Sequence, residues 1–252
     1  MSQITFGTVM LCYLKSDHPD IIQRVEAIRD EVIERAQNGE EDLVFNSLMF
    51  HAVMQAHSRY GDPEDAEFLL DQLCREVLEG KNEQNWELNS HSFNSVLRAW
   101  IRANHPERAE AILKKMCQFR DHNLANIRPT PRNYIDVIES WTRSAQPAAG
   151  DRADDALQML ETDFSGVEAG KGLYLAVMKA LAQSGSGERA EALLRRVHAL
   201  SDIENYNTEM DLFMYREACL AWKKSNNAEA TKHIQRLEIE IAQKFPNARK
   251  AV

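Results

Sequence analysis

Five cations stand at one offset in this 252-residue sequence: Lys15, Arg59, Arg102, Arg143 and Lys224, each nine residues after an aromatic side chain. Stacked copies of such a position make a row of positive charge, which is what the phosphate backbone of a single strand needs. A helix carboxyl end also favours Lys or Arg through its dipole, so the column by itself has a second explanation. Charge distribution supports the first. The chain carries −9 overall, yet six fourteen-residue windows around those aromatics hold eleven Lys or Arg and three Asp or Glu. The windows are therefore net +8 and everything else is net −17.

Other chemistry finds little support. The eight histidines are scattered without ligand spacing, and Cys12, Cys74, Cys117 and Cys219 form no CxxC pair. Cys12 and Cys219 fall in packed columns of the repeat described next, and Cys74 and Cys117 share another, so all four read as buried thiols in a reducing compartment. No HxE…CxxC pattern and no clustered aspartates occur, so neither catalysis, a cofactor, a metal nor a small-molecule substrate is expected. No run approaches the roughly 18–20 apolar residues of a membrane span. Neither a secretory nor an Arg/Ser-rich transit segment is visible at the start.

The elements that carry the cations are amphipathic helices. In Ser92–Met116, Phe93, Val96, Leu97 and Trp100 fall at i, i+3, i+4 and i+7, one apolar helical stripe. Asn104-His105-Pro106 breaks that helix, Pro106 suits the opening of another, and Ala109, Ile112, Leu113 and Met116 form a second stripe. The first-helix pattern recurs from Phe6, Phe50, Phe93, Tyr134, Tyr174 and Tyr215, at spacings of 44, 43, 41, 40 and 41 residues. Six residues on, every copy is small: Cys12, Ala56, Ala99, Ser140, Ala180 and Ala221. The expected fold is all-α: a right-handed α-solenoid of about six helix-turn-helix repeats. It spans 1–252 as a single array, with repeats starting near 3, 47, 90, 131, 171 and 212 and a capping helix over 228–245. No polar helix precedes Phe6, so the N-terminus reads as truncated or as a mis-assigned start. Trp100, Trp141 and Trp222 lie on the apolar stripe and are expected in the core. Acids of the second helices, Glu110 and Glu191 among them, are expected on the outer face.

SFNSVLRAWIRA…PERAEAILKKM and GLYLAVMKALAQSGSGERAEALLRRV resemble pentatricopeptide (PPR) repeats, and IRPT before Tyr134 resembles that family's repeat junction. The usual repeat is 35 residues, so these copies resemble the family's divergent, longer-looped eukaryotic members. The tetratricopeptide repeat is the structural rival. It also carries the second-helix alanine, but no Gly follows a Leu in these first helices.

The resemblance implies single-stranded RNA as partner, held along the groove of the first helices, and work in a mitochondrion or plastid on organelle RNA. It makes Lys15, Arg59, Arg102, Arg143 and Lys224 the phosphate contacts. It also pairs the residue after each aromatic with the residue four before the next: Gly7 with Asn46, His51 with Asn89, Asn94 with Thr130, Ile135 with Gly170, and Leu175 with Asp211. Base contacts are then carried by His51, Asn89, Asn94, Thr130 and Asp211. Ile135 and Leu175 cannot hydrogen-bond a base edge, so shape and charge outweigh sequence readout. The alternative is a protein-interaction scaffold holding a peptide or helix in the same groove.

Overall fold

The structure is a computed structural model that describes residues 3–16, 18–40, 43–79, 87–122, 127–144, 146–164, 170–201 and 208–246. The described residues form twelve α-helices and no strand: α1 (Gln3–Lys15), α2 (Ile21–Gln37), α3 (Ser47–Tyr60), α4 (Pro63–Leu78), α5 (Ser90–Arg102), α6 (Pro106–Asp121), α7 (Pro131–Arg143), α8 (Ala149–Asp163), α9 (Lys171–Ser184), α10 (Gly187–Ser201), α11 (Thr208–Lys224) and α12 (Ala230–Lys244). They fall into two compact units, Met1–Pro129 and Thr130–Val252. In the first, α1, α3 and α5 lie side by side, each followed by its hairpin partner α2, α4 or α6. In the second, α7, α9 and α11 do the same, with α8, α10 and α12 as partners. The second helix of one hairpin also packs on the first helix of the next, as α2 does on α3 and α8 on α9.

Local sequence sets the helix ends. Pro63, Pro106 and Pro131 open α4, α6 and α7, where a missing N–H costs nothing. The side chains of Asn46, Asp62 and Asn89 accept backbone N–H groups at the starts of α3, α4 and α5. Asn104 stops α5 with φ of 60°, and His105 N–H reaches back to the Trp100 carbonyl over 3.0 Å. This left-handed stop needs Asn or Gly. Gly185 ends α9 the same way, at φ of 73°.

The aromatic column is the core. Phe6, Phe50, Phe93, Tyr134, Tyr174 and Tyr215 are all buried, each removing enough apolar surface to contribute roughly 1.5–3 kcal/mol before entropy is charged against it. Trp100, Trp141 and Trp222 are buried too, as their place on the stripe requires. The small column packs as expected at Ala56, Ala99, Ala180 and Ala221, but not at its first member. Cys12 is exposed, and Cys219 is only half-buried, against the expectation of four buried thiols; Cys74 and Cys117 do follow it. The reason is an end effect. Three and six after the aromatic, Val9 and Cys12 of α1 are less buried than their counterparts in the later first helices, and α1 is the first of the described row. Four after the aromatic, Cys219 of α11, the last described first helix, is less buried than Met10, Met54, Leu97, Ile138 and Met178.

Between hairpins runs a second, polar set of contacts. In five of the six second helices an acid follows the aligned Val25, Ala66, Ala109, Ala153 or Ala190: Glu26, Glu67, Glu110, Asp154 and Glu191. Glu67 accepts a 2.6 Å hydrogen bond from Trp100 Nε1 and one of 2.9 Å from Arg108, both in the next hairpin. Glu191 accepts from Trp222 Nε1 at 3.2 Å and pairs with His233 Nδ1 at 3.0 Å. Glu26 lies 3.3 Å from His57 Nε2, the residue that replaces the tryptophan there. Where the next hairpin has Leu181 instead, Asp154 binds Arg196 at 2.7 Å and Arg189 at 3.5 Å. Glu110 and Asp154 are almost fully buried, so these acids are not outer-face residues. Glu191 likewise keeps 13% of its side chain exposed and binds Arg236 as well. Burial pushes its carboxyl up, yet the bonds from His233, Arg236, Trp222 and Arg195 together hold it below its ordinary value. Glu67, Asp154 and Glu191 hold neighbouring hairpins together, and reversing their charge would disrupt packing.

Candidate nucleic-acid interface

In the first unit, one face of α1, α3 and α5 encloses a cleft of about 430 Å³. Helical spacing explains which side chains reach it. His51, Gln55 and Arg59 recur every four residues on α3, and Asn94, Arg98 and Arg102 do so at the same positions on α5. His91 and Ser95 widen the α5 side, while Leu11, Leu48 and Met54 supply apolar wall. Three arginines and two histidines line this space with no carboxylate among them. Among the described residues, Arg59 and Arg98 have no ion-pair partner. Arg102 donates to the Ser58 carbonyl at the end of α3, which fixes the guanidinium beside the cleft. Partial burial, and then the charges of Arg59 and Arg98, lower its pKa. Guanidinium stays protonated through such a shift, so the three positive charges persist together.

All five members of the cation column are exposed: Lys15, Arg59 and Arg102 in the first unit, Arg143 and Lys224 in the second. Their surroundings differ. In the second unit, α7 carries Glu139 where α5 has Arg98, and Arg132 pairs with Asp136 at 2.7 Å. Lys179 lies 5.2 Å from the centre of the Phe213 ring. Burial raises the Glu217 carboxyl, while Lys179 and Lys224 act on it in the opposite sense. By contrast, α3 and α5 carry no acid at all along their length.

Several of the expected base contacts already use their polar atoms within the protein. His51 Nε2 is 3.0 Å from the Glu87 carbonyl and its Nδ1 is 3.5 Å from Ser92 Oγ, so it offers the cleft ring surface more than hydrogen bonds. Burial holds it below the usual histidine pKa, which keeps the ring neutral at pH 7. Asn89 Oδ1 caps α5, accepting from His91 N and Ser92 N at 3.0 and 3.3 Å. Thr130 caps α7 in a box with Asn133, whose Oδ1 accepts both its N–H and its hydroxyl at 2.8 Å. Asn94 lines the cleft. The Asp211 side chain lies outside the described residues. Gly7, at the equivalent position of α1, is buried under Leu48 and has no side chain to offer. The residue four before each aromatic is thus a helix cap at Asn46, Asn89 and Thr130, which explains its side-chain type without a ligand.

Stacked helical hairpins with first helices side by side, carrying a basic stripe, define a helical-repeat protein of the α-solenoid class. Two of these hairpins match a family model: the PPR repeat family matches residues 48–76 and 91–120. Those stretches are α3 with most of α4, and α5 with α6, the two hairpins that carry the arginines of the cleft. No curated protein sequence matches the chain. Among the described residues, no helix is long and apolar enough to cross a membrane, and no group of three or more His, Cys, Asp or Glu is placed to hold a metal.

Proposed function

We propose that the chain is an RNA-binding protein of the PPR type, holding single-stranded RNA along its first helices and catalysing no reaction itself. The observation that carries this reading is the carboxylate-free cleft of α1, α3 and α5, with Arg59, Arg98 and Arg102 along it. Guanidinium is the side chain best matched to phosphate oxygens, offering planar, paired donors at fixed charge. The exposed His91 ring and the His51 ring supply surfaces for base stacking. With Ile135 and Leu175 at would-be reading positions and Asn89 and Thr130 engaged as caps, affinity comes from phosphate and stacking contacts. Sequence preference is correspondingly weak.

The test is a salt series with unstructured RNA. Each phosphate contact on a single strand contributes about −0.7 to the slope of log K against log salt, so the five-cation column gives about −3.5. Reversing Arg59 and Arg143 to Glu should flatten the slope by about 1.4 and weaken all sequences alike. Replacing Asn94 should alter preference at one base at most. Absence of binding at low salt, where electrostatic association is strongest, would refute the reading and leave a peptide-binding scaffold in its place.

A further inference from the structure

A track for an RNA backbone needs single cations at even intervals, one per phosphodiester. The first unit departs from that pattern. The position five after the aromatic, one turn before the cation column, is Leu11 on α1, Gln55 on α3 and Arg98 on α5. Arg98 therefore adds a third guanidinium to Arg59 and Arg102 at one end of the cleft, while Leu11 and Leu48 close the side toward α1 with apolar wall. The other end holds His51, His91 and Asn94, two helical turns from Arg59 and Arg102, about 12 Å at 1.5 Å per residue, with Arg98 one turn in from Arg102 and close enough for its charge to act on it. The cleft is thus polarised: rings and an amide at one end, three positive charges at the other. Its volume of about 430 Å³ lies within the range of small-ligand sites.

A phosphodiester brings one negative charge to such a cluster and leaves most of it unbalanced. A terminal phosphomonoester brings between 1.5 and 2 near pH 7, with three acceptor oxygens, as phosphate esters of side chains do. We propose that the Arg59, Arg98 and Arg102 end of this cleft seats the terminal phosphomonoester of a single-stranded RNA, with the terminal base toward His51, His91 and Asn94. The inference rests on the RNA reading above and narrows it: the chain engages an RNA at its end as well as along its length. Arg98 is the discriminating residue, because it stands outside the evenly repeated column and has no ion-pair partner among the described residues.

The experiment compares one RNA oligonucleotide in three forms, with a 5′-phosphate, with a 3′-phosphate and with both ends hydroxyl, by fluorescence anisotropy at pH 7.5. One phosphorylated form should bind roughly tenfold more tightly than the hydroxyl form, the scale of one added charge-assisted contact; which one identifies the end that is held. Arg98→Ala should abolish that preference while weakening the hydroxyl form by no more than the loss of one backbone contact, a change of about 0.7 in its salt slope, with its helical circular dichroism unchanged. Lowering the pH from 7.5 to 5.5 protonates the monoester, whose second pKa is about 6, and should shrink the preference. Equal binding of all three forms, or a preference that survives Arg98→Ala, would overturn the end-site while leaving the RNA reading intact. Failure of every form to bind at low salt would overturn both.

Discussion

The pair between Arg195 and Glu240 offers a prediction whose size and pH dependence follow from geometry. Arg195 on α10 meets Glu240 on α12 through two 2.7 Å hydrogen bonds, and the buried Tyr215 hydroxyl of α11 donates to the same carboxylate at 2.9 Å. The Arg195 hydrogen bond is the main reason that the Glu240 carboxyl is lowered from 4.5 to about 2. The Tyr215 hydroxyl is pushed up, by burial first and then by Glu240. At about 1.36 kcal/mol per pH unit, the Glu240 displacement corresponds to an upper bound of about 3.4 kcal/mol. Arg195 is 43% exposed and Glu240 23% exposed, so solvent screening reduces this to about 1 kcal/mol. A carboxyl with a lowered folded-state pKa contributes stability above its unfolded value and loses it as pH falls through the folded one. Glu240→Gln, which keeps an acceptor for Tyr215 but removes the charge, should therefore destabilise by about 1 kcal/mol above pH 5. The difference should fall by more than half at pH 3 and vanish near pH 2. Urea denaturation of both proteins, followed by far-ultraviolet circular dichroism at pH 3 to 7, measures it. A difference that stays constant over that range, or that grows as pH falls, would refute the reasoning.

Trp100→Phe keeps the ring but removes the donor to Glu67, so it should cost about 1–2 kcal/mol in chemical denaturation; Glu67→Gln together with Trp100→Phe should cost less than the sum of the two. Ala99→Leu should overpack the contact between α3 and α5 by about 1–3 kcal/mol, while the same change at the exposed Ala103 should leave the denaturation midpoint almost unmoved. A Cβ at Gly187 would collide with the Trp222 ring, so Gly187→Ala should destabilise the second unit and alter Trp222 fluorescence, with RNA affinity unchanged while the protein stays folded. Residues 1–129, expressed alone, should remain helical and keep their salt-dependent binding, as expected when stability is nearly a sum of neighbour terms.

The core was legible because its rule repeats. An aromatic, two apolar residues three and four on, and a small one six on describe a helix face, and six copies make the face unmistakable. Helix ends were legible where proline marks them, as at Pro106. What the repeat columns concealed is whatever differs between copies. Arg98 stands in a column of Leu11, Gln55, Glu139, Lys179 and Leu220, which has no shared character and so draws no notice. The four-residue spacing of Asn94, Arg98 and Arg102 along a single helix is the signal that would have found it. The acid one after the aligned second-helix residue was visible in all five copies, yet composition alone reads an acid as solvated. The facing Trp100 and Trp222 N–H groups show why Glu67 and Glu191 are drawn in, and Arg189 and Arg196 why Asp154 is buried. Cys12 and Cys219 show the converse limit, since a column predicts burial only where a neighbour stands on the relevant side.

The carboxylate that reaches across from one hairpin to the next also bears on how such a chain can change. Repeat proteins are often treated as interchangeable blocks, to be duplicated, deleted or reordered. Here the suitability of a block depends on what its neighbour presents. Glu67 and Glu191 each meet an indole N–H, Glu26 meets an imidazole, and Asp154, facing Leu181, is supplied by Arg189 and Arg196 instead. Moving the hairpin of α9 and α10 behind one that expects tryptophan would retain its arginines but shift their reach by the longer side chain of Glu. Placing the hairpin of α5 and α6 after Asp154 would set an indole against a shorter acid. Each of these four junctions is in effect a matched pair, so within a unit the block that evolution or an engineer can exchange without penalty runs from the middle of one hairpin to the middle of the next.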